Sequence, residues 1–187
     1  MNQSNHDTAL LLIDFQKAFY HPDWGNRNNP FAEREAEKLL QKFRHNDWPV
    51  IHSQHISDKP GSLFYKCGPS AAFMDRLVPE QDEKIIRKYV NSAFIGTGLE
   101  QHLRKCGIKR LVMAGLTTDH CVSTTGRMGS NLGFEIIVAA DAAAAFHKEK
   151  FDGGGMLTAD MIHNVHLSSL HNEFASVKLT NNILRSL

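Results

Sequence analysis

The stretch Arg110-Leu111-Val112-Met113-Ala114-Gly115-Leu116-Thr117-Thr118-Asp119-His120-Cys121-Val122 decides the fold of this chain. Its apolar run from Leu111 to Ala114 has the length of a buried strand, and Gly115 marks a turn. Thr-Thr-Asp then supplies residues that commonly cap a helix, and helical spacing continues from Cys121 to about Asn131. The pattern therefore predicts a strand, a tight turn and a helix that begins with a cysteine.

A cysteine in the first turn of a helix has a distinctive chemical environment. If Thr118 or Asp119 caps the helix, the free backbone N–H groups and the positive end of the helix dipole favour the thiolate of Cys121. The same N–H groups can stabilise a developing oxyanion. The alternative is that Cys121 is a small buried apolar residue, as most free cysteines are.

The bulk composition limits the class of protein. A chain of 187 residues suits a single domain over 1–187, and its net charge of +1, without a basic stripe, gives no reason to expect a nucleic-acid partner. Cys67, Cys106 and Cys121 form neither a disulfide framework nor a C-x-x-C motif, which favours a reducing cytoplasm. The polar N-terminus lacks a signal core, and no apolar run approaches the roughly 20 residues of a membrane span. We therefore predict a cytoplasmic protein without a membrane partner.

Strand and helix patterns alternate along most of the chain. Strands are predicted at 9–13, 49–55, 83–89, 108–114, 134–140 and 173–179. Helices are predicted after an Asn29 cap and a Pro30 start, at 99–106, 121–131 and 158–171, and in a short tail. The segment from 142 to 155 is predicted to be a loop. This order predicts an α/β fold, with a mostly parallel sheet covered by helices on both faces.

Two further residues end predicted strands. Asp14 follows the first strand and Lys88 lies at the end of the third. If these strands are parallel and central, both side chains reach the sheet edge where Cys121 lies. A carboxylate there can take the thiol proton, and an ammonium can lower the thiol pKa. The alternatives are that Asp14 is a turn residue and that Lys88 is an ordinary surface lysine.

Loops near this edge are expected to wall a pocket. The irregular segment 15–29 is dense in aromatic residues, which can line a pocket or pack against a partner subunit. The predicted pocket residues are Phe15, Phe19, Trp24, His55, Phe94 and His120. Asp160, His163 and His166 share one predicted helix, where an exposed polar face is favoured over a metal site.

Three motifs, in this order, resemble the isochorismatase-like cysteine hydrolases over nearly the whole chain. They are Leu10-Leu11-Leu12-Ile13-Asp14-Phe15-Gln16, Lys88-Tyr89-Val90-Asn91-Ser92-Ala93-Phe94-Ile95-Gly96-Thr97 and Gly115-Leu116-Thr117-Thr118-Asp119-His120-Cys121-Val122. The resemblance implies a three-layer α-β-α fold with Rossmann-like topology, in which helices flank a six-stranded parallel sheet. It also implies homo-oligomers, dimers or higher, that act on a small-molecule substrate.

The resemblance further implies an Asp-Lys-Cys triad that cleaves C–N bonds of amide-type substrates through a thioester, without a cofactor. Asp14 would be the general base, Lys88 its electrostatic partner and Cys121 the nucleophile. A cis peptide would join Leu116 to Thr117, and the N–H groups of Thr117 and Cys121 would form the oxyanion hole.

Departures from the family pattern narrow the predicted activity and the predicted metal content. Nicotinamide-cleaving members carry an Asp-x-His metal site near the second strand, whereas 52–58 has the acid and histidine in the reverse order. We therefore predict no metal site. The alternatives left open are isochorismatase-type hydrolysis of a vinyl ether and a non-catalytic binding protein that retains the fold.

Overall fold

The structure is a computed structural model and describes residues 7–187. The strands are β1 (Thr8–Ile13), β2 (Val50–His55), β3 (Lys84–Lys88), β4 (Arg110–Leu116), β5 (Glu135–Ala144), β6 (Lys148–Glu149), β7 (Met156–Leu157) and β8 (Ser176–Lys178). The helices are α1 (Ala32–His45), α2 (Leu99–Lys105), α3 (Ser123–Asn131), α4 (Ala159–Leu170) and α5 (Thr180–Ser186). Of the polar N-terminus 1–8, which was predicted to lack a signal core, residues 1–6 lie outside the described residues.

Six strands form one sheet in the order β3-β2-β1-β4-β5-β8, and every pairing within it is parallel. Helices α1 and α5 pack on one face, and α2, α3 and α4 pack on the other. The predicted α/β architecture with helices on both faces is thereby confirmed. Among the described residues, no helix is both long and apolar enough to cross a membrane.

The centre of the sheet explains why its strands are apolar throughout. All six residues of β1 are buried, because side chains alternate between the two helical layers. Leu10 and Leu12 face the layer of α1, where Leu39 and Phe43 pack against them. Leu11 and the rest of the opposite set face the layer of α2 and α4. Apolar side chains therefore cover both faces of the sheet, and the polar side chains of the site lie at the carboxyl ends of the strands.

Three local predictions were wrong. Helix α1 begins at Ala32 rather than at Pro30, and Asn29 does not cap it. Asn29 instead donates hydrogen bonds from its side chain to the carbonyls of Ala140 and Ala143. Strand β5 continues past Asp141 to Ala144, and the predicted loop that follows contains a small antiparallel hairpin, β6–β7. The hairpin becomes important because it reaches back to the cysteine loop.

Candidate active site

Three predicted site residues lie at the carboxyl ends of β1, β3 and β4. Asp14 directly follows β1, Lys88 ends β3, and the loop that carries Cys121 follows β4. Gly115 allows the backbones of β1 and β4 to approach closely, since an added Cβ would lie 2.3 Å from the Ile13 carbonyl oxygen. The parallel order therefore places all three side chains at the same sheet edge.

Lys88 contacts both of the other predicted catalytic residues. Its Nζ lies 2.6 Å from Asp14 Oδ2 and 3.2 Å from Cys121 Sγ, and it donates to the Val90 carbonyl oxygen at 3.1 Å. The Asp14 and Lys88 side chains are 0% exposed, so water does not screen their interaction. Ser53 Oγ donates to the second carboxylate oxygen of Asp14 at 2.7 Å. The three predicted catalytic residues therefore lie in one buried cluster.

The protonation of Cys121 differs from the prediction. Burial and the neighbouring Asp14 carboxylate raise the pKa of the Cys121 thiol to about 12, although Lys88 acts in the opposite direction. The expected lowering of this pKa was therefore wrong. The physical reason is that Asp14 already neutralises Lys88, so a thiolate would add an uncompensated charge to a buried site. Cys121 is a thiol that holds its proton next to a carboxylate.

The loop around Cys121 is not the capped α-helix that was predicted. Thr118–Val122 forms a π-helical turn that leads into α3, and Thr117 precedes it without a side-chain cap. Asp119 does not cap the turn either. Its carboxylate accepts a hydrogen bond from Lys148 of β6. Burial raises the pKa of Asp119, but the contacts with Lys148, His120 and Thr117 together hold that pKa below its usual value. The peptide bond between Leu116 and Thr117 is cis.

His163 supports the same loop from α4. Its Nδ1 lies 2.8 Å from the Thr118 hydroxyl, and both side chains are buried. Burial lowers the pKa of His163, which keeps the ring neutral in this contact. The prediction of an exposed polar face was therefore wrong for His163. In the part of the chain that the structure describes, Asp160, His163 and His166 form no metal-binding group.

Sequence reasoning missed two residues that organise the cluster. Ser53 orients the Asp14 carboxylate, as its hydrogen bond shows. Gln16 is fully buried and donates to the backbone carbonyls of His55 and Ala71, while its own oxygen accepts from the His55 N–H. Gln16 thus ties the segment after β1 to the end of β2. A polar residue two positions after the strand-ending Asp14 was the available signal, because a side chain there must find buried partners.

A cavity of about 110 Å³ opens beside Cys121. Its lining residues are Asp14, Phe19, Trp24, His55, Phe64, Asn91, Thr117, His120 and Cys121. Four predicted pocket residues, Phe19, Trp24, His55 and His120, therefore line it.

Two other predicted pocket residues do not line this cavity. Phe15 lies in the core on the α1 face of the sheet, and Phe94 stacks on Phe134 in the opposite half of the core. Phe94 also fits against Gly129, where an added Cβ would lie 3.1 Å from its ring. Phe64 and Asn91, which are not among the individually predicted pocket residues, also line the cavity.

Aromatic rings form one wall of the cavity. Trp24 packs 4.9 Å from Phe19 and 6.3 Å from Phe64, measured between ring centroids. Phe64 in turn meets the His55 ring edge-on at 5.1 Å. Asn91 and His120 also line the cavity, so its lining combines aromatic and polar side chains. Such a lining suits a small molecule with a planar or apolar part.

The donor atoms of Asp14, His55 and Cys121 lie within 4.8 Å of one another, the spacing of a possible metal site. The Lys88 ammonium, however, is 3.3 Å from His55 Nδ1 and in contact with the other two residues. It therefore takes the position among these atoms that a cation would need. Unless Lys88 moves, the residues do not fit a metal ion.

A second, larger cleft of about 660 Å³ lies where α1 meets the edge strand β3 and its neighbour β2. Arg44 and Glu83 form an ion pair there, and Glu83 also contacts His52. The residues that line this cleft include no cysteine, serine or threonine. The smaller cavity beside Cys121 is therefore the candidate active site.

Fold and site together define a class of α/β protein with a buried cysteine at the carboxyl edge of a parallel sheet. Residues 8–164 match the family model described as the isochorismatase domain. The isochorismatase family protein YrdC of Bacillus subtilis is 45% identical over 176 residues, which cover 94% of each chain. The ureidoacrylate amidohydrolase RutB of an Enterobacter strain is 34% identical over 209 residues, which cover 87% of this chain and 91% of the relative.

Solved structures agree with these relatives. A crystal structure of an isochorismatase-family hydrolase from Chromobacterium violaceum superposes with a TM-score of 0.94 at 40% identity, and covers 98% of this chain and 94% of that one. The chain belongs to the isochorismatase family, and it is a hydrolase of that family.

Proposed function

We propose that this hydrolase cleaves a C–N bond of a small amide-type substrate, with Cys121 as nucleophile, Asp14 as general base and Lys88 as electrostatic partner. The observation that carries the proposal is the buried cluster in which Lys88 touches both Asp14 and Cys121 at the floor of a cavity. A nucleophile, a base and a group that orients the base are what acyl transfer requires. The similarity to a relative named as an amidohydrolase supports the amide class.

The raised thiol pKa determines the order of proton transfers. As Cys121 Sγ attacks the carbonyl carbon, its proton passes to the Asp14 carboxylate, so that no free thiolate has to accumulate. The C–N bond then breaks while the proton on Asp14 moves to the leaving nitrogen, and a thioester remains. Water attacks the thioester and gives a proton to Asp14. That proton returns to the sulfur as the acid leaves.

The oxyanion that forms in both steps needs donors that are already in place. We propose the backbone N–H groups of Thr117 and Cys121 for this role, since both residues line the cavity. Lys88 contributes a fixed positive charge beside the sulfur throughout the reaction. The contact of Asp14 with Ser53 and Lys88 keeps the carboxylate in place between proton transfers.

The proposal is tested by a screen of small primary amides, ureido compounds and lactams for ammonia or amine release. Cys121→Ala is the matched control, because removing one sulfur atom from a buried turn leaves the packing nearly intact. The variant should be folded and should lose turnover entirely. Activity that survives in Cys121→Ala would refute the nucleophile and would favour cleavage of an ether without a covalent intermediate.

We also propose that the protein acts as a homo-oligomer in the cytoplasm. Phe151 at the hairpin tip is fully exposed, and Met161 and Val165 are exposed one turn apart on α4. Apolar side chains of this size commonly mark contacts between subunits. The three free cysteines suit a reducing compartment. Light scattering that gives a monomer mass at micromolar concentration would contradict the oligomer.

A further inference from the structure

His120 lines the cavity, and Lys148, which lies next to it outside the lining, contacts its ring; we call this pair the polar rim of the cavity. Lys148 Nζ lies 2.8 Å from His120 Nε2 and also donates to the Asp119 carboxylate. An ammonium group has only hydrogens to offer, so His120 Nε2 must accept at this distance. The neutral His120 ring therefore carries its hydrogen on Nδ1. No hydrogen-bond acceptor for Nδ1 occurs among residues 7–187.

The neutral state of His120 follows from its surroundings. Burial lowers the pKa of His120, and the charges of Lys148 and His166 act in the same direction, against the opposing effect of Asp119. His120, which lines the cavity, therefore has one N–H donor, and the contact with Lys148 fixes which ring nitrogen carries it.

The rim is also electropositive on its outer side. The Asp119 side chain is only 3% exposed, whereas that of Lys148 is 38% exposed. The positive member of the pair thus faces solvent while the negative member lies beneath it. One ammonium hydrogen of Lys148 remains after its bonds to Asp119 and His120. Asp14 is the one acidic residue that lines the cavity, and Lys88 neutralises it.

On the basis of the amide hydrolysis proposed above, we propose that the substrate is an anionic amide whose carboxylate binds at the rim formed by His120 and Lys148. The His120 Nδ1–H group donates to one carboxylate oxygen, and the exposed Lys148 ammonium attracts the charge. The amide carbonyl then lies deeper, beside Cys121 and Lys88. The cavity volume of about 110 Å³ restricts the part between the two groups to a few atoms.

The decisive comparison uses two primary amides of equal chain length, succinamate and butanamide. They differ in that one ends in a carboxylate and the other in a methyl group. We expect wild-type protein to prefer succinamate in kcat/KM by about tenfold or more, the usual effect of one hydrogen bond to a charged group. His120→Leu and Lys148→Met should each lower this preference at least several-fold, chiefly through KM. His45→Leu, an exposed histidine on α1, is the matched control and should keep it.

Binding to the Cys121→Ala protein separates this inference from the hydrolysis itself. Succinamate should bind that variant more tightly than butanamide, and adding His120→Leu should remove the difference. Hydrolysis of both amides without preference would overturn the anionic substrate and leave the amide hydrolysis intact. Preferential binding without turnover in the wild type would sustain the carboxylate site and refute the amide hydrolysis. Equal or undetectable binding of the two probes, together with no turnover of either, would overturn the carboxylate site.

Discussion

Lys88 Nζ and Asp14 Oδ2 lie 2.6 Å apart in a site where neither side chain is exposed to solvent. Few lysines are buried so completely, because the cost of desolvating an ammonium is recovered only by close partners. This ion pair therefore determines the charge of the whole cluster. It leaves the neighbouring Cys121 as a neutral thiol with an acceptor for its proton.

Lys88→Met should destabilise the protein much more than an ordinary lysine substitution. The variant leaves the Asp14 carboxylate buried without its counter-ion, which typically costs about 3–5 kcal/mol in the free energy of unfolding. Urea denaturation at pH 7.5 measures this loss. Lys84→Met is the matched control, since Lys84 lies on the same strand with its side chain exposed, and should change stability by less than about 0.5 kcal/mol.

The double variant Asp14→Asn/Lys88→Met tests whether the charges of these two residues are energetically coupled. Removing both charges should recover part of the stability lost in Lys88→Met, because no unpaired ion remains. If the double variant is less stable than Lys88→Met by the full cost of Asp14→Asn alone, the two residues are not coupled. The ion pair would then be excluded as the centre of the cluster.

Thiol reactivity should follow the order of exposure, with Cys121 last. Cys67 and Cys106 are exposed, whereas Cys121 is buried and burial raises its pKa to about 12. Methyl methanethiosulfonate is the reagent of choice, because it is small and lacks an amide group that the site could bind as a substrate. Mass spectrometry at pH 7 should find Cys67 and Cys106 modified well before Cys121. Faster modification of Cys121 would contradict its raised pKa.

Asp14→Asn should raise the reactivity of Cys121 relative to the other two cysteines. The substitution removes a charge that raises the pKa of the Cys121 thiol and leaves Lys88 free to stabilise a thiolate. Labelling of Cys121 should therefore accelerate, while labelling of Cys67 and Cys106 should not change. The same experiment on Asp23→Asn, which changes an exposed acid outside the cavity lining, should leave all three rates unchanged.

Local sequence patterns were enough to predict which three residues lie together in this site. Asp14, Lys88 and Cys121 each end an apolar run or follow one through a turn, and parallel strands bring such positions to one edge. The sequence could not predict the direction in which the Cys121 pKa shifts. That direction depends on the arrangement of three residues, in which Asp14 neutralises Lys88 beside the thiol. Helix-terminus reasoning accounts for one neighbour at a time. The burial of Cys121 in the folded chain, together with the charge of Asp14, raises its pKa.

Contacts between distant segments were the other limit of the sequence. Asp119 looked like a helix cap, but its partner is Lys148, which lies 29 positions away in a segment that was predicted to be a loop. Phe15 looked like a pocket residue because it stands in an aromatic loop. It lies only two positions after the end of β1, however, and its side chain packs in the core. Local composition does not distinguish a loop side chain that faces a cavity from one that completes the core.

His163 and Thr118 should show energetic coupling. Their hydrogen bond is buried, so removing one partner leaves the other unsatisfied at a cost of about 1–3 kcal/mol. Thr118→Val and His163→Leu should each destabilise the protein in urea. The double variant should cost clearly less than the sum of the two single changes, because it leaves no unsatisfied partner. Strict additivity would mean that the contact contributes nothing.

Stability should also decline as the pH falls below about 6.5. Burial lowers the pKa of His163 in the folded state below its ordinary value of 6.5, so the unfolded chain binds a proton more readily than the folded chain. Protonation then favours unfolding, and the stabilisation, complete above pH 6.5, is lost as the pH falls toward the folded-state pKa. Burial lowers the pKa of His55 and His120 as well, and both contribute in the same direction. The measurement is the urea midpoint between pH 7.5 and pH 5.

His163→Gln isolates the part of this pH dependence that comes from α4. Glutamine retains a polar group of similar length that can contact Thr118, but it does not titrate. The variant should therefore lose less stability than the wild type on going from pH 7.5 to pH 5, whatever its stability at pH 7.5. His45→Gln, which removes an exposed histidine, should follow the wild-type curve. If His163→Gln shows the full wild-type decline, His163 is not a neutral buried residue that resists protonation, and another histidine accounts for the acid sensitivity.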